Sequence, residues 1–379
     1  MAAAFSCSVS FPFTCSCNRS RYRGKVDIKI NASSSSRLHT LDGIDGAGKG
    51  SSSLATATEL SEEQIRQRIP TKKQLVDTYR QGLIIERGVG YRQTVVVRSY
   101  EVGPNKTATL ESLFNLFQET ALNHVWMSGL LSNGFGATHG MVRNNLIWVV
   151  SRMHVQVDHY PIWGEVLEID TWVGASGKNG MRRDWLIRSQ ATGITYARAT
   201  STWVMMNDKT RRLSKMPEEV RGEISPWFIE KQAIKEDVPE KIVKLDDNAT
   251  YVNSDLKPKR SDLDMNQHVN NVKYVRWMLE TIPDNILESH QLSGIILEYR
   301  RECGSSNTVQ SLCQPDEDEI LTNGVEQSLL KNGYLGSLDS KTYGYTHLLQ
   351  IKGETRNEEI VRGRTRWRKK FSTVLPYST

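Results

Sequence analysis

The spacing of apolar positions changes along the chain, and each change predicts an element. Residues 91–100 (Tyr-Arg-Gln-Thr-Val-Val-Val-Arg-Ser-Tyr) have the β-branched and aromatic content of a strand. Leu110, Leu113, Phe114, Phe117 and Ala121 then recur at three- and four-residue intervals, which predicts a helix with one apolar face, capped by Thr107 or Thr109. A Gly-containing connection over 129–140 leads to strand-like runs at 146–157, 166–173, 183–189 and 194–206, with turns at Gly164, 174–180 and Gly193. The order is strand, helix, antiparallel meander. It returns after about residue 249: a helix is expected over about 271–288, with Val272, Val275, Met278 and Leu279 on one face, then strands near 295–302, 308–313, 347–352 and 360–369. The repetition shows in the residues themselves, since Arg198 and Trp203 in the first copy have the same spacing as Arg362 and Trp367 in the second. An acidic, then Gly/Ser-rich insertion over 315–345 reads as a surface loop. The pattern predicts an α+β chain in which a helix wrapped by an antiparallel sheet occurs twice, over 86–232 and 249–372, joined by a linker at 233–248.

The first 85 residues lack this patterning. The first 41 carry six basic side chains (Arg19, Arg21, Arg23, Lys25, Lys29, Arg37) against one acid, Asp27, and are Ser-rich with no long apolar core. That composition predicts an organelle transit peptide within residues 1–50, which include the start of a linker continuing over 51–85. The leader accounts for five of the formal net six positive charges, so the body is near neutral and lacks the basic footprint of a nucleic-acid binder. No apolar run is long enough to span a membrane, and none of the His and Cys spacing suggests a metal site or a cofactor. Only Cys303 and Cys313 lie beyond the leader, which fits a reducing compartment better than a disulfide framework. The run from Gly43 to Lys49 approaches a phosphate-binding loop. Gly50 stands where the Mg²⁺-binding hydroxyl belongs, however, and neither a strand before it nor a helix after it is expected, so it reads as linker.

The chemistry concentrates in Lys259 to Asn271. Asp264, Asn266 and His268 alternate with other residues, and in extended backbone all three side chains would share one face as an acid/base set. Asn270 or Asn271 suits the N-cap of the following helix, whose free N–H groups could polarise a carbonyl oxygen beside the trio. Against this, Asp and Asn are also ordinary turn and cap residues. The first copy's counterpart, Arg98 to Thr107, keeps an acid (Glu101) and an Asn (Asn105) but has no His, which assigns the chemistry to the second copy. His124, on the first helix, reads as a structural histidine.

Asp264-x-Asn266-x-His268-Val-Asn-Asn resembles the signature of hotdog-fold thioesterases. Together with Leu297-Glu-Tyr-Arg-Arg-Glu-Cys303, Gln118-Glu-Thr-Ala-Leu-Asn-His124, Tyr160-Pro-Ile-Trp-Gly-Glu-Val166 and Gly177-Lys-Asn-Gly-Met-Arg-Arg-Asp-Trp185, it is similar to the plant plastid acyl-ACP thioesterases from about residue 75 to 371. The resemblance implies a tandem hotdog fold, hydrolysis of fatty acyl-ACP to free fatty acid in the plastid stroma, and acyl carrier protein as partner, with no cofactor; a homodimer is left open. It implies catalytic roles for Asp264, Asn266, His268 and Glu302. Glu302 is expected on a strand, so that Cys303, the rival nucleophile, faces the other way. The apolar face Leu110, Leu113, Phe114, Phe117 and Ala121 is expected to hold the acyl chain. Lys178 to Met181 and Leu297 to Tyr299 are closer to the saturated-chain branch of the family, whereas 257–260 and Asp264-Met265 are closer to the oleoyl branch. Trp126-Met127 and Arg276 depart from both. A non-hydrolysing acyl-carrier binder is the alternative class, and a hydrolysis assay separates the two.

Overall fold

The structure is a computed structural model that describes residues 76–77, 79–132, 136–235, 241–265, 267–316 and 342–370. The leader, most of the linker after it, the Gly43–Gly50 run, Asn266 and the bulk of the 315–345 insertion lie outside the described residues.

The first half comprises β1 (Val76–Asp77), β2 (Gly82–Ile85), β3 (Gly90–Val96), helix α1 (Leu110–Ser128), α2 (His139–Arg143), β4 (Leu146–Val157), β5 (Val166–Ser176), β6 (Gly180–Ser189), β7 (Thr195–Asn207), β8 (Leu213–Ser214) and α3 (Glu218–Ile224). The second comprises β9 (Tyr251–Leu256), α4 (Asn271–Leu279), α5 (Asp284–Ser289), β10 (His290–Tyr299), β11 (Val309–Pro315), β12 (Thr342–Ile351) and β13 (Glu358–Lys369). The strands form one antiparallel sheet in the order β1-β2-β3-β5-β6-β7-β4-β10-β13-β12-β11-β9. The halves meet through β4 and β10, where Gly294 pairs with Gln156 and Glu298 with Arg152.

The duplication read from the sequence extends to register. Arg198 on β7 faces Gln156 of β4, as Arg362 on β13 faces Glu298 of β10; Trp203 faces Val150, as Trp367 faces Leu292. Both copies have a register shift at a serine, Ser151 and Ser293, whose hydroxyls donate to the carbonyls of Thr202 and Arg366. Each tryptophan donates its Nε1–H to a hydroxyl two residues back, Ser201 and Thr365.

α1 is capped by Thr109, whose Oγ1 accepts the Ser112 N–H at 3.1 Å, and ends at Gly129 in the left-handed region (φ 64°). α4 is capped by Asn270, whose Oδ1 accepts the Val272 N–H at 3.0 Å. The single helix expected over 271–288 is two, because Pro283 takes extended backbone (φ −59°, ψ 140°) between them and cannot continue the first. One apolar core runs through both halves: Leu113 and Phe117 of α1, Val275 and Met278 of α4, and Ile169, Val155, Ile295 and Leu349 of the sheet belong to a single cluster. Glu111 of α1 binds Lys273 Nζ at 2.6 Å and Arg276 Nη2 at 2.6 Å of α4, so the departure at Arg276 supplies an ion pair between the two helices. Trp126, half exposed, lies under the Arg80 guanidinium at 4.7 Å. Among the described residues no helix is long and apolar enough to cross a membrane.

His347 on β12 is fully buried, with Nε2 2.9 Å from Thr365 Oγ1, and burial holds its pKa down from 6.5 to about 3. It therefore folds uncharged. Between those two pH values the unfolded chain binds a proton that the folded chain refuses, so this contribution to stability is whole above pH 6.5 and falls as the pH drops toward 3. The slope is at most about 1.4 kcal/mol per pH unit. Thermal unfolding at neutral and mildly acidic pH is expected to show a smaller loss of Tm on acidification for His347→Leu than for the wild type. Equal losses would remove His347 from the acid response.

Candidate active site

The stretch from Asp264 to His268 is not extended. The Asp264 N–H donates to the His268 carbonyl at 2.8 Å, the Gln267 N–H to the Asp264 carbonyl at 3.1 Å, and Leu263 and Val269 pair across the base. Gln267 closes the turn with φ 64°. The expected alternation of three side chains on one strand face therefore does not apply, because a tight turn replaces the strand. Asp264 and His268 come together instead by facing each other across the turn, and Asp264 Oδ1 accepts the His268 main-chain N–H at 3.3 Å. Asn266 is outside the described residues.

The same turn exists in the first half. The Gly103 N–H donates to the Thr107 carbonyl, the Lys106 N–H to the Gly103 carbonyl, and Lys106 has φ 61°. The flanking bonds match too: Thr109 N–H to the Glu101 carbonyl corresponds to Asn270 N–H to the Asp262 carbonyl, and Ala108 N–H to Pro161 corresponds to Val269 N–H to Cys303. This register corrects one expectation. Glu101 is the counterpart of Asp262, which like it accepts a main-chain N–H three residues back, and not of Asp264. Gly103 stands for Asp264, Thr107 for His268 and Tyr160 for Glu302, so the first half keeps the backbone of the site without its carboxylates and imidazole.

Glu302 lies beyond the end of β10, not on the strand, because the Arg300 and Arg301 N–H groups both turn to the Ile360 carbonyl. Its Oε2 is 3.6 Å from His268 Nε2, and the same oxygen forms an ion pair with Arg211 of the first half. Sequence reasoning missed Arg211: it follows β7 in a turn, and no local pattern says that it reaches a residue on the other half. Cys303 is in the core, fully buried, its N–H donating to Tyr274 Oη at 3.2 Å, and burial raises its thiol to about 11. A thiol so raised stays protonated at neutral pH and is a poor nucleophile.

A cavity of about 1180 Å³ joins these groups to the first half. Asp264, His268, Asn270, Asn271 and Glu302 line one part of it, and Phe114, Phe117 and Ala121 of α1 line another, with Trp148 of β4. Leu110 and Leu113 of the expected acyl-binding face are not among the lining residues and pack into the core. The helix turns them toward the sheet, so the apolar face serves both core and cavity. Arg183 of β6, also on the cavity, donates from Nη1 to His124 Nδ1 at 3.1 Å; burial and this cation hold the His124 pKa well below its usual range, as befits a structural, neutral histidine. Among the described residues no three His, Cys, Asp or Glu side chains are placed to hold a metal ion.

Removing the buried thiol tests the placement of Cys303. Cys303→Ala is expected to keep turnover within a few-fold of the wild type, and Cys303 itself, followed by peptide mapping, to resist alkylation under native conditions, since a buried neutral thiol is inert. Loss of turnover in folded Cys303→Ala would return it to the list of nucleophiles.

The acyl-ACP thioesterase N-terminal domain family model matches residues 88–224, and the C-terminal domain model matches residues 245–369. A palmitoyl-acyl carrier protein thioesterase of Gossypium hirsutum is 51% identical over 299 residues, covering 79% of this chain and 68% of the relative. An oleoyl-acyl carrier protein thioesterase of Arabidopsis thaliana is 45% identical, covering 79% and 82%. Both are described as chloroplastic. The solved structure of a 12:0-ACP thioesterase from Umbellularia californica is similar with a TM-score of 0.66 and 45% identity, covering 75% of this chain and 95% of that one. With a helix and antiparallel sheet in each half, matched in register and in the turn that carries Asp264 and His268, this chain belongs to the acyl-ACP thioesterase family and has its tandem hotdog fold.

Proposed function

We propose that this chain hydrolyses the thioester of fatty acyl-ACP, releasing free fatty acid in the plastid. The observation that carries the reading is the meeting of His268 and Glu302, 3.6 Å apart, at a cavity also lined by Phe114, Phe117 and Ala121 of α1. A thioester needs no metal, because a thiolate is a good leaving group. Glu302 and His268 share the work of taking a proton from water. The water oxygen bonds to the carbonyl carbon, the C–S bond breaks, and the proton passes to the departing phosphopantetheine sulfur. Charge on the carbonyl oxygen is met by the N-terminus of α4, where Asn270 and Asn271 line the cavity. Asp264 sets the turn by accepting the His268 N–H, and Asn266 orients the water. Residues 249–372 supply this chemistry, and residues 86–232 supply the slot for the tail.

The plastid location follows the chloroplastic relatives and agrees with the basic, Ser-rich leader. The relatives are named for palmitoyl, dodecanoyl and oleoyl substrates, so the family leaves the preferred chain open.

Two measurements test the reading. Purified protein given a panel of acyl-ACPs is expected to release fatty acid, with kcat lowered about 10²-fold or more in His268→Ala and in Glu302→Gln. Wild-type turnover in a folded His268→Ala would refute the assignment. For the tail, Ala121→Leu and Phe117→Ala are expected to shift the product profile from a bacterial host toward shorter and longer chains respectively, one methylene being worth about 1–3 kcal/mol in an apolar pocket. Leu113→Ala, in the core but not on the cavity, is expected to lower Tm, as Phe117→Ala also does, without moving the profile. A profile unchanged by both cavity variants would place the tail elsewhere.

A further inference from the structure

Glu302 has a partner that the second half does not supply. Arg211 Nη2 forms an ion pair with the same Oε2 that faces His268 Nε2. The arginine is held by a tight turn: its N–H donates to the Asn207 carbonyl at 2.9 Å, Asn207 Oδ1 accepts the Thr210 N–H at 2.9 Å, and the Asp208 N–H donates to the Asn145 carbonyl at 2.9 Å, next to β4. Its Nη1 also lies 3.4 Å from Asp208 Oδ1. The charged groups close to Glu302 in sequence are already engaged, Arg300 with Glu298 at 2.5 Å and Arg301 with Glu358 at 2.9 Å. Tyr274 of α4 is uncharged, its phenol pushed far up by burial. Among the described residues, His268 and Arg211 are the charged or titratable groups in ion-pair range of the Glu302 carboxylate, and Tyr274 lies close enough to feel its charge.

We propose that Arg211 is a positioning residue for the hydrolysis: a cation from the first half fixes the Glu302 carboxylate against His268. Two halves built on one plan are then complementary in chemistry, one supplying the acid/base groups and the other the cation that orients them. Glu302 follows the end of β10, where no strand pairing constrains its side chain, so a fixed partner is what selects its rotamer. Arg211 touches neither water nor thioester in this scheme and acts through Glu302. The inference rests on the catalytic reading of Glu302 given above.

The test uses Arg211→Gly. Arg211 has φ 55°, which glycine adopts without cost, so the side chain is removed without disturbing the turn. With the full-length or processed enzyme and a preferred acyl-ACP, kcat is expected to fall about 10- to 100-fold with KM little changed, the usual size of a misplaced catalytic group. Guanidinium ion at concentrations well below those that unfold the protein is expected to restore much of the rate, which a merely structural role of the side chain would not allow. Arg211→Lys, which keeps a cation, is expected to recover part of the loss and serves if the glycine variant is unstable. Wild-type kcat in either variant, a rise in KM alone, or a loss of kcat that guanidinium does not relieve would overturn the proposal. Glu302→Gln is assayed beside them: if it is inactive while the Arg211 variants are unimpaired, only the positioning role fails, and if it turns over normally, the catalytic reading of Glu302 fails first.

Discussion

The pairing of β4 with β10 is the constraint on which the rest depends. Five residue pairs, from Gly294–Gln156 to Glu298–Arg152, join the two halves into one sheet. A hotdog half covers only part of its helix, and the remaining apolar surface must be buried against something. Here each helix faces the other, and α1 and α4 share one core. Because the strand pairing fixes how the halves meet, it also decides that the turn after β7 comes beside the end of β10. Arg211 and Glu302 meet for that reason and not through any local preference.

Duplication followed by divergence gives the site its economy. The tight turn that carries Asp264 and His268 persists in the first half with the same hydrogen bonds and the same positive φ at its fourth residue, Lys106 or Gln267. An L-residue at that φ is uncommon, so keeping it twice points to a backbone requirement and not to the side chains. Gly103, Thr107 and Tyr160 have lost the chemistry, while α1 has kept a face that opens on the cavity through Phe114, Phe117 and Ala121. The groups proposed for catalysis and those proposed for the tail are thereby separated along the chain yet line one space of about 1180 Å³.

Burial sorts the remaining ionisable groups. Cys303 and His347 are both enclosed, and both are driven to their neutral forms, the thiol up to about 11 and the imidazole down to about 3. Glu302 and His268 each keep about a third of their side-chain surface accessible, and they face each other. That accessibility is what the acid/base role proposed for them requires.

Much of this protein was determined by its sequence alone. The two-fold strand–helix–meander order, the α1 face, a threonine cap at 107 or 109 and the limits of β4 follow from periodicity and turn residues, which act over a few positions and leave a local imprint. The motif around Asp264 and His268, and the likeness of Arg198–Trp203 to Arg362–Trp367, located the candidate site and the repeat in the same way. Only the tertiary structure decided the rest. The turn at Asp264–His268 overrode the alternation because its bonds close within five residues and Gln267 accepts the left-handed backbone, which a period-two reading does not register. Pro283 split the second helix, a break legible in principle but masked by the apolar spacing on either side. The division of the α1 face between core and cavity, and the ion pair of Arg211 with Glu302, depend on packing between elements far apart in sequence, and no local pattern encodes a distance across the fold.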